Sequence, residues 1–324
     1  MRRLALRFVT VADEVGRLQR GKDPECLFFQ GVAEQGHYKG RTTPTDTRQG
    51  IYAFAPSGAF LASINTRSAR DMARMLESAL EKWKTLSREE RLGAADPRAA
   101  ASAIRRYEAL FPEGGLALRV TSRDLPRKDG TEPRSRRDWR AHAWNQDTAW
   151  FKKEEARAFL PPGDATKAGE RHAVPKALAT RLVRAHLVDY VRGQTTSYDD
   201  IDVETAELSS VVESVSGGRV TLRLEGKTRA VKKGTWPVAG FEDMNEPKPT
   251  ERGVETALLG RAEFDLAAGR FAAFELVASG TRWGATQYNG REDDFGPAPI
   301  GFVFALDESA AAVAPAGHWI YGWR

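Results

Sequence analysis

The chain has 324 residues, 49 of them Lys or Arg and 44 Asp or Glu, for a formal net charge of +5; hydrophobic residues make up 41% and charged residues 29%. That balance belongs to a globular protein long enough for two domains with a core each, and it excludes a disordered polyelectrolyte. No run approaches the ~20 apolar residues of a membrane-spanning helix, and a single cysteine excludes an intramolecular disulfide while leaving the redox compartment undetermined.

At the front, Met1-Arg2-Arg3-Leu4-Ala5-Leu6-Arg7 has a basic end, but Arg7 interrupts the apolar segment. Leu4 to Ala12 therefore fits a first strand better than a signal peptide, and the cellular location stays unknown. In Lys22-Asp23-Pro24-Glu25-Cys26 an N-cap residue is followed by proline at the first helical position and an acid in the first turn. Leu27, Phe28, Gln30, Val32 and Ala33 continue the helix to Gly36. Cys26 lies in the first turn, where free N–H groups and the helix dipole favour a thiolate; Lys22 helps and Glu25 opposes. The competing reading is a buried, inert thiol acting as a small hydrophobe.

Gln49 to Ala55 and Ala59 to Ile64 are short apolar runs around the turn Pro56-Ser57-Gly58, which predicts a hairpin. Ser68 and Asp71 fit a capping pattern, and Met72, Leu76, Ala79, Leu80 and Trp83 then recur at helical spacing.

The αββα run from 23 to 84 resembles a thioredoxin fold, with Leu4 to Ala12 as the preceding strand and Pro44-Thr45 similar to the proline–threonine pair that precedes the family's hairpin. The resemblance implies a scaffold on which a cysteine thiol becomes reactive. It departs from the family in three respects. Cys26 has no second cysteine, Asp46 to Gln49 separate the proline from the strand, and a β–α unit is missing between Cys26 and Pro44. Ordinary dithiol exchange is thereby excluded.

Ser87 to Glu90 repeats the capping box, Asp96-Pro97 starts a further helix through Ile104 and Leu110, and 85–115 reads as a helical connector. Leu116 to Val120 then opens a second domain with a strand. Between 119 and 140 eight basic residues face four acidic ones, and Trp139, Trp144 and Trp150 follow. Basic residues interleaved with aromatics can form a single-strand nucleic-acid surface, but Pro126, Gly130 and Pro133 and the mixed signs favour a solvated loop.

The histidines are His37, His142, His172, His186 and His318, and no H-x-x-x-H, H-E-x-x-H or C-x-x-C spacing occurs. His186 sits in a helix predicted from Pro175 to Arg192, closed by Gly193, with Leu182 and Tyr190 in line and Asp189 one turn on. A histidine oriented by a carboxylate serves as a general base or metal ligand, and more often as a hydrogen-bonded structural residue. His142 precedes a segment read as a helix carrying Trp150, Phe151, Glu154, Glu155 and Phe159. The expected metal ligands are Cys26, His142 and His186, a set that suits copper or zinc. The runs Arg181 to Asp189 with Arg192-Gly193, and Gly280-Thr281-Arg282-Trp283-Gly284, resemble segments of uncharacterised bacterial proteins with a degenerate thioredoxin-like front. That likeness implies no activity.

From Val203 onward the chain reads as β structure. Ser216-Gly217-Gly218 separates two strands, Val220, Leu222 and Leu224 alternate, Trp236 to Thr250 is a proline-rich excursion, and Ala267 to Arg270 turns between Thr256–Leu266 and Phe271–Ser279. Pro299 to Leu306 adds a strand to one curved sheet. Glu263 and Asp265 share a strand face, and Asp293 and Asp294 sit in a loop, the raw material of paired-carboxylate hydrolysis. The tail His318-Trp319-Ile320-Tyr321-Gly322-Trp323 is aromatic enough to dock onto its own domain.

The expectation is an α+β protein: a thioredoxin-like domain at 1–84 lacking CxxC, a connector at 85–115, and an α+β domain with an antiparallel sheet at 116–324. Three functions follow. The first is a single-thiol redox or thiolate/imidazole metal-binding protein with Cys26 as the catalytic residue and a small molecule or metal ion as partner. The second is a non-catalytic binding module presenting tryptophans and arginines to an anionic or carbohydrate partner. The third is a hydrolase using paired carboxylates.

Overall fold

The structure, a computed structural model, describes residues 2–11, 15–37, 47–66, 68–93, 111–127, 139–162, 167–238 and 247–323. The chain divides into two compact units, 1–105 and 106–324. Both units combine helices and strands, and a large antiparallel sheet dominates the second. None of the helices described is long and apolar enough to cross a membrane.

The first unit contains α1 (Arg2–Ala5), α2 (Val15–Arg20), α3 (Pro24–Ala33), the hairpin of β1 (Ile51–Phe54) and β2 (Phe60–Ile64), α4 (Ala69–Thr85) and α5 (Arg88–Leu92). Asp23 caps α3 and Ser68 caps α4 by accepting from the N–H groups of Cys26 and Asp71. Ser87 and Glu90 form the reciprocal capping box of α5. Met75, Leu76 and Ala79 of α4 bury against Ala53 and Leu61 of the hairpin. The strand expected over Leu4 to Ala12 does not form. Leu4 and Phe8 instead use their i, i+4 spacing to pack together onto the α4 core, while Leu6 and Val9 point to solvent at 85% and 95% exposure. Pro44-Thr45 and the helix expected from Asp96 to Leu110 lie outside the described residues.

The second unit is built on β3 (Leu116–Asp124), β4 (Trp144–Phe151), α6 (Lys153–Arg157), β5 (Arg171–Ala173), α7 (Lys176–His186), β6 (Val203–Ser216), β7 (Arg219–Trp236), β8 (Lys248–Asp265), β9 (Arg270–Trp283) and β10 (Ala298–Leu306). The strands form one eight-stranded sheet in the order β4-β3-β10-β9-β8-β7-β6-β5, antiparallel throughout. Helix α7 touches β6 and β7 near one edge and β4 at the other, so the sheet curls around it. Alternation decides which face turns inward. Val220, Leu222 and Leu224 of β7, Phe274 and Leu276 of β9 and Phe302 and Phe304 of β10 all meet Leu178 and Leu182 of α7 in one core. The void between Leu182, Leu258, Leu276 and Phe304 is only about 10 Å³, at the lower limit for a single water, so this part of the core is packed.

Two helix expectations change. Trp150 and Phe151 belong to β4, whose last four residues are all buried, and the helix that follows spans only Lys153–Arg157. Helix α7 stops at His186, where Tyr198 donates its N–H to the Arg184 carbonyl (3.2 Å) and Leu187, Val188 and Val191 turn into the core. Gly193 therefore has a different task from ending a helix. A Cβ there would lie 2.0 Å from the Tyr288 carbonyl oxygen, so glycine lets residues 192–194 run against the 285–290 loop, where Gln194 N–H donates to Tyr288 O at 3.1 Å. Gly193→Ala is expected to cost about 1–3 kcal/mol as an overpacked site, read as a lowered urea midpoint; an unchanged midpoint would contradict this packing.

Candidate functional site

Cys26 is fully buried, with its Sγ donating to Asp23 Oδ2 at 3.0 Å while Asp23 Oδ1 accepts the Cys26 N–H at 3.0 Å. The capping carboxylate thus occupies the helix N-terminus that a thiolate would use, and its charge opposes negative charge on sulfur. His142 is exposed at the end of a 3₁₀ turn, Trp139–His142. Among the described residues no group of three or more His, Cys, Asp or Glu is placed to hold a metal ion.

His186 has a carboxylate partner, but it is Asp147 of β4. Nδ1 lies 2.9 Å from Asp147 Oδ2 and Nε2 lies 2.7 Å from Tyr321 Oη. Asp189, the expected partner, falls beyond the end of α7 and turns elsewhere. Tyr321 Oη also accepts the Trp150 N–H (3.1 Å), and Asp147 Oδ1 accepts the Ala316 N–H (2.9 Å). Arg181, held bidentately by Glu155 at 2.8 and 2.7 Å, stacks over the Tyr321 ring at 4.4 Å. Burial pushes the Tyr321 hydroxyl above its ordinary pKa. With both ring nitrogens engaged and the side chain sealed in, His186 fastens the aromatic tail onto its own unit, as the tail's composition suggested.

A second buried cluster gathers on Asp294. Its Oδ1 pairs with Arg127; its Oδ2 pairs with Arg282, lies 3.1 Å from Arg192 Nη1 outside hydrogen-bond alignment, and lies 3.4 Å from Arg291 Nη1. Arg291 is also bidentate to Asp189 (2.8 and 2.7 Å) and to Asp124 (2.9 and 2.7 Å). Four guanidiniums face three carboxylates. Burial alone would raise the Asp124 pKa, but the hydrogen bond and charge of Arg291, with Arg192 and Arg282, hold it below the usual carboxylate range. Burial and the Arg291 charge push Arg282 down. The two runs singled out by resemblance meet here, Arg192 from one and Arg282 from the other. The sequence marks Asp294 only as a loop acid; its signal is indirect, a charged Arg282 in core register, four residues past Ala278 and two past Gly280.

An open concavity lies on the opposite, outer face of the sheet. It has a volume of about 420 Å³ and is lined by Thr205, Lys227, Arg229, Glu255, Gly280 and Thr281, among others. Thr205, Arg229, Glu255 and Thr281 stand in register across four adjacent strands. Arg229 pairs with Glu255 and with Glu204 (2.7 Å), and Lys227 faces Glu207 at 3.4 Å. Two residues past Thr281 on the same face, half-buried Trp283 lies over Gly253, with its Nε1 donating to Glu251 at 2.9 Å and the Arg229 guanidinium 5.1 Å from its ring. Glu263 and Asp265 form no joint site. Glu263 pairs with Arg219, and Asp265 accepts the Ala268 N–H of the turn at 2.8 Å.

Because the folded pKa of Asp124 lies below its unfolded value of ~3.9, its stabilisation is present above that pH and fades as pH falls through the folded value. Asp124→Asn should lower stability at pH 7 by about 3–5 kcal/mol and flatten the loss of stability below about pH 4; parallel pH profiles for the two proteins would contradict this. The Cys26 thiol should react with a disulfide reagent at least about tenfold more slowly in the native chain than in urea, and equal rates would place the sulfur at the surface.

Comparison of the chain with family models, with curated proteins and with solved structures finds no match in any of the three, so its function is read from these residues alone.

Proposed function

We propose that the second unit is a non-catalytic binding module whose ligand lies in the trough on the outer face of β6 to β9. The trough itself carries this reading. At about 420 Å³ it falls in the ~300–1,000 Å³ range of small-molecule sites, it is open, and polar side chains from four strands converge on it. The two other clusters are centred on buried groups, His186 in one and Arg282, Arg291 and Asp294 in the other, and are closed off from solvent there. For the first unit the thioredoxin-like reading stands as a proposal, supported by the hairpin packed under α4 and by a cysteine in the first turn of α3. The single-thiol redox or metal role draws less support, since the sulfur is buried against Asp23.

The test is affinity electrophoresis of the full chain through gels containing neutral polysaccharides or dextran sulfate, beside the variants Glu255→Ala and Thr281→Val. At least one polymer should retard the chain, and the variants should lose most of that retardation with melting temperatures within a few degrees of the parent, because exposed ion pairs contribute only ~0–1 kcal/mol. Absence of retardation throughout, or retardation unchanged in both variants, would refute the proposal.

A further inference from the structure

Resting on the binding-module reading, we propose that the trough takes a neutral, linear oligosaccharide laid across the strands. Charge decides against a polyanion. Lys227, Arg229 and Glu255 line the trough, and Glu204 and Glu207 beside it pair with the same two cations, so both cations are already engaged by carboxylates. A phosphate or sulfate chain would have to displace carboxylates from both cations and would gain no net attraction.

The same groups suit hydroxyls. Each sugar hydroxyl donates one hydrogen bond and accepts others. The row Thr205, Arg229, Glu255, Thr281 places a hydroxyl, a guanidinium and carboxylate paired with each other, and a second hydroxyl on four adjacent strands, with a register shift in β6 just before Thr205. Neighbouring strands are ~4.8 Å apart, so the row spans about 14 Å over three gaps. That spacing is close to the length of one pyranose unit, so a linear chain crossing the strands brings successive sugars over successive side chains, about three in all. Half-buried Trp283 stands beside the trough with its N–H engaged by Glu251, and the Arg229 guanidinium and Gly253 border its ring. Thr228 and Thr256 also border the trough, but they are buried and their hydroxyls bond each other at 2.7 Å.

Isothermal titration of the full chain with cello-, xylo- and malto-oligosaccharides of one to six units tests the inference. For at least one series, affinity should rise about tenfold or more from monomer to trimer and change little beyond, following the length of the row. It should also hold between 50 and 300 mM NaCl, because no counterions are released. Glu255→Ala should lose at least tenfold, and Thr281→Val, a nearly isosteric change, a smaller part. Binding of dextran sulfate that weakens steeply with salt and is lost in Arg229→Ala would overturn the ligand class while leaving the binding module standing. Neutral binding without dependence on chain length would overturn the across-strand geometry. No binding by any of these ligands, neutral or anionic, would overturn both readings.

Discussion

One buried carboxylate, Asp294, lies within ion-pair distance of four guanidiniums that come from separate parts of the second unit. Arg127 comes from the segment after β3, Arg192 from the irregular chain after α7, Arg282 from the end of β9 and Arg291 from the loop between β9 and β10. Asp124 and Asp189 bind Arg291 from two further directions. Strands at different positions in the sheet and two long irregular segments are thereby tied at one point. Burying so many charges is costly, and such clusters add little net stability over a well-packed apolar alternative. Once built, however, losing any member leaves an uncompensated buried charge, so the cluster specifies one arrangement of these segments.

That arrangement determines where a ligand can go. Hydrophobic side chains of the sheet and α7 fill the concave side, and the His186–Asp147–Tyr321 contacts seal the aromatic tail onto β4. Inside, His186 bonds both Asp147 and Tyr321, and Arg291 is held by Asp124 and Asp189. The outer face differs. Its side chains are fixed in register by the strand pairing, yet they reach solvent, which is what a preorganised recognition surface requires.

Much of the architecture was legible in the sequence because it rests on local signals. The alternation of Val220, Leu222 and Leu224, the turn at 267–270, the Ser-Gly-Gly separator and the capping residues Asp23, Ser68 and Ser87 each encode their own element. The losses come where tertiary contact overrides a local pattern. Leu4 and Phe8 satisfy a strand as well as a helical turn, and α4 selects the second. Trp150 follows a helix-compatible pattern but completes a buried strand. His186 is oriented by Asp147, 39 residues back in the chain, and not by the nearby Asp189. Asp294 meets Arg127 across 167 residues, a distance at which no spacing rule operates. The trough was similarly hidden: Arg229, Glu255 and Thr281 become neighbours only through the register of three strands.

The most direct test of this account is a double-mutant cycle between Asp294 and Arg282, with Asp294→Asn, Arg282→Gln and the pair compared by urea unfolding. If Asp294 is the point on which the arginines are held, the two substitutions should be strongly non-additive, with a coupling of about 1–3 kcal/mol. Effects that add to within ~0.5 kcal/mol would contradict it, and would mean that the guanidiniums are held in place without that carboxylate.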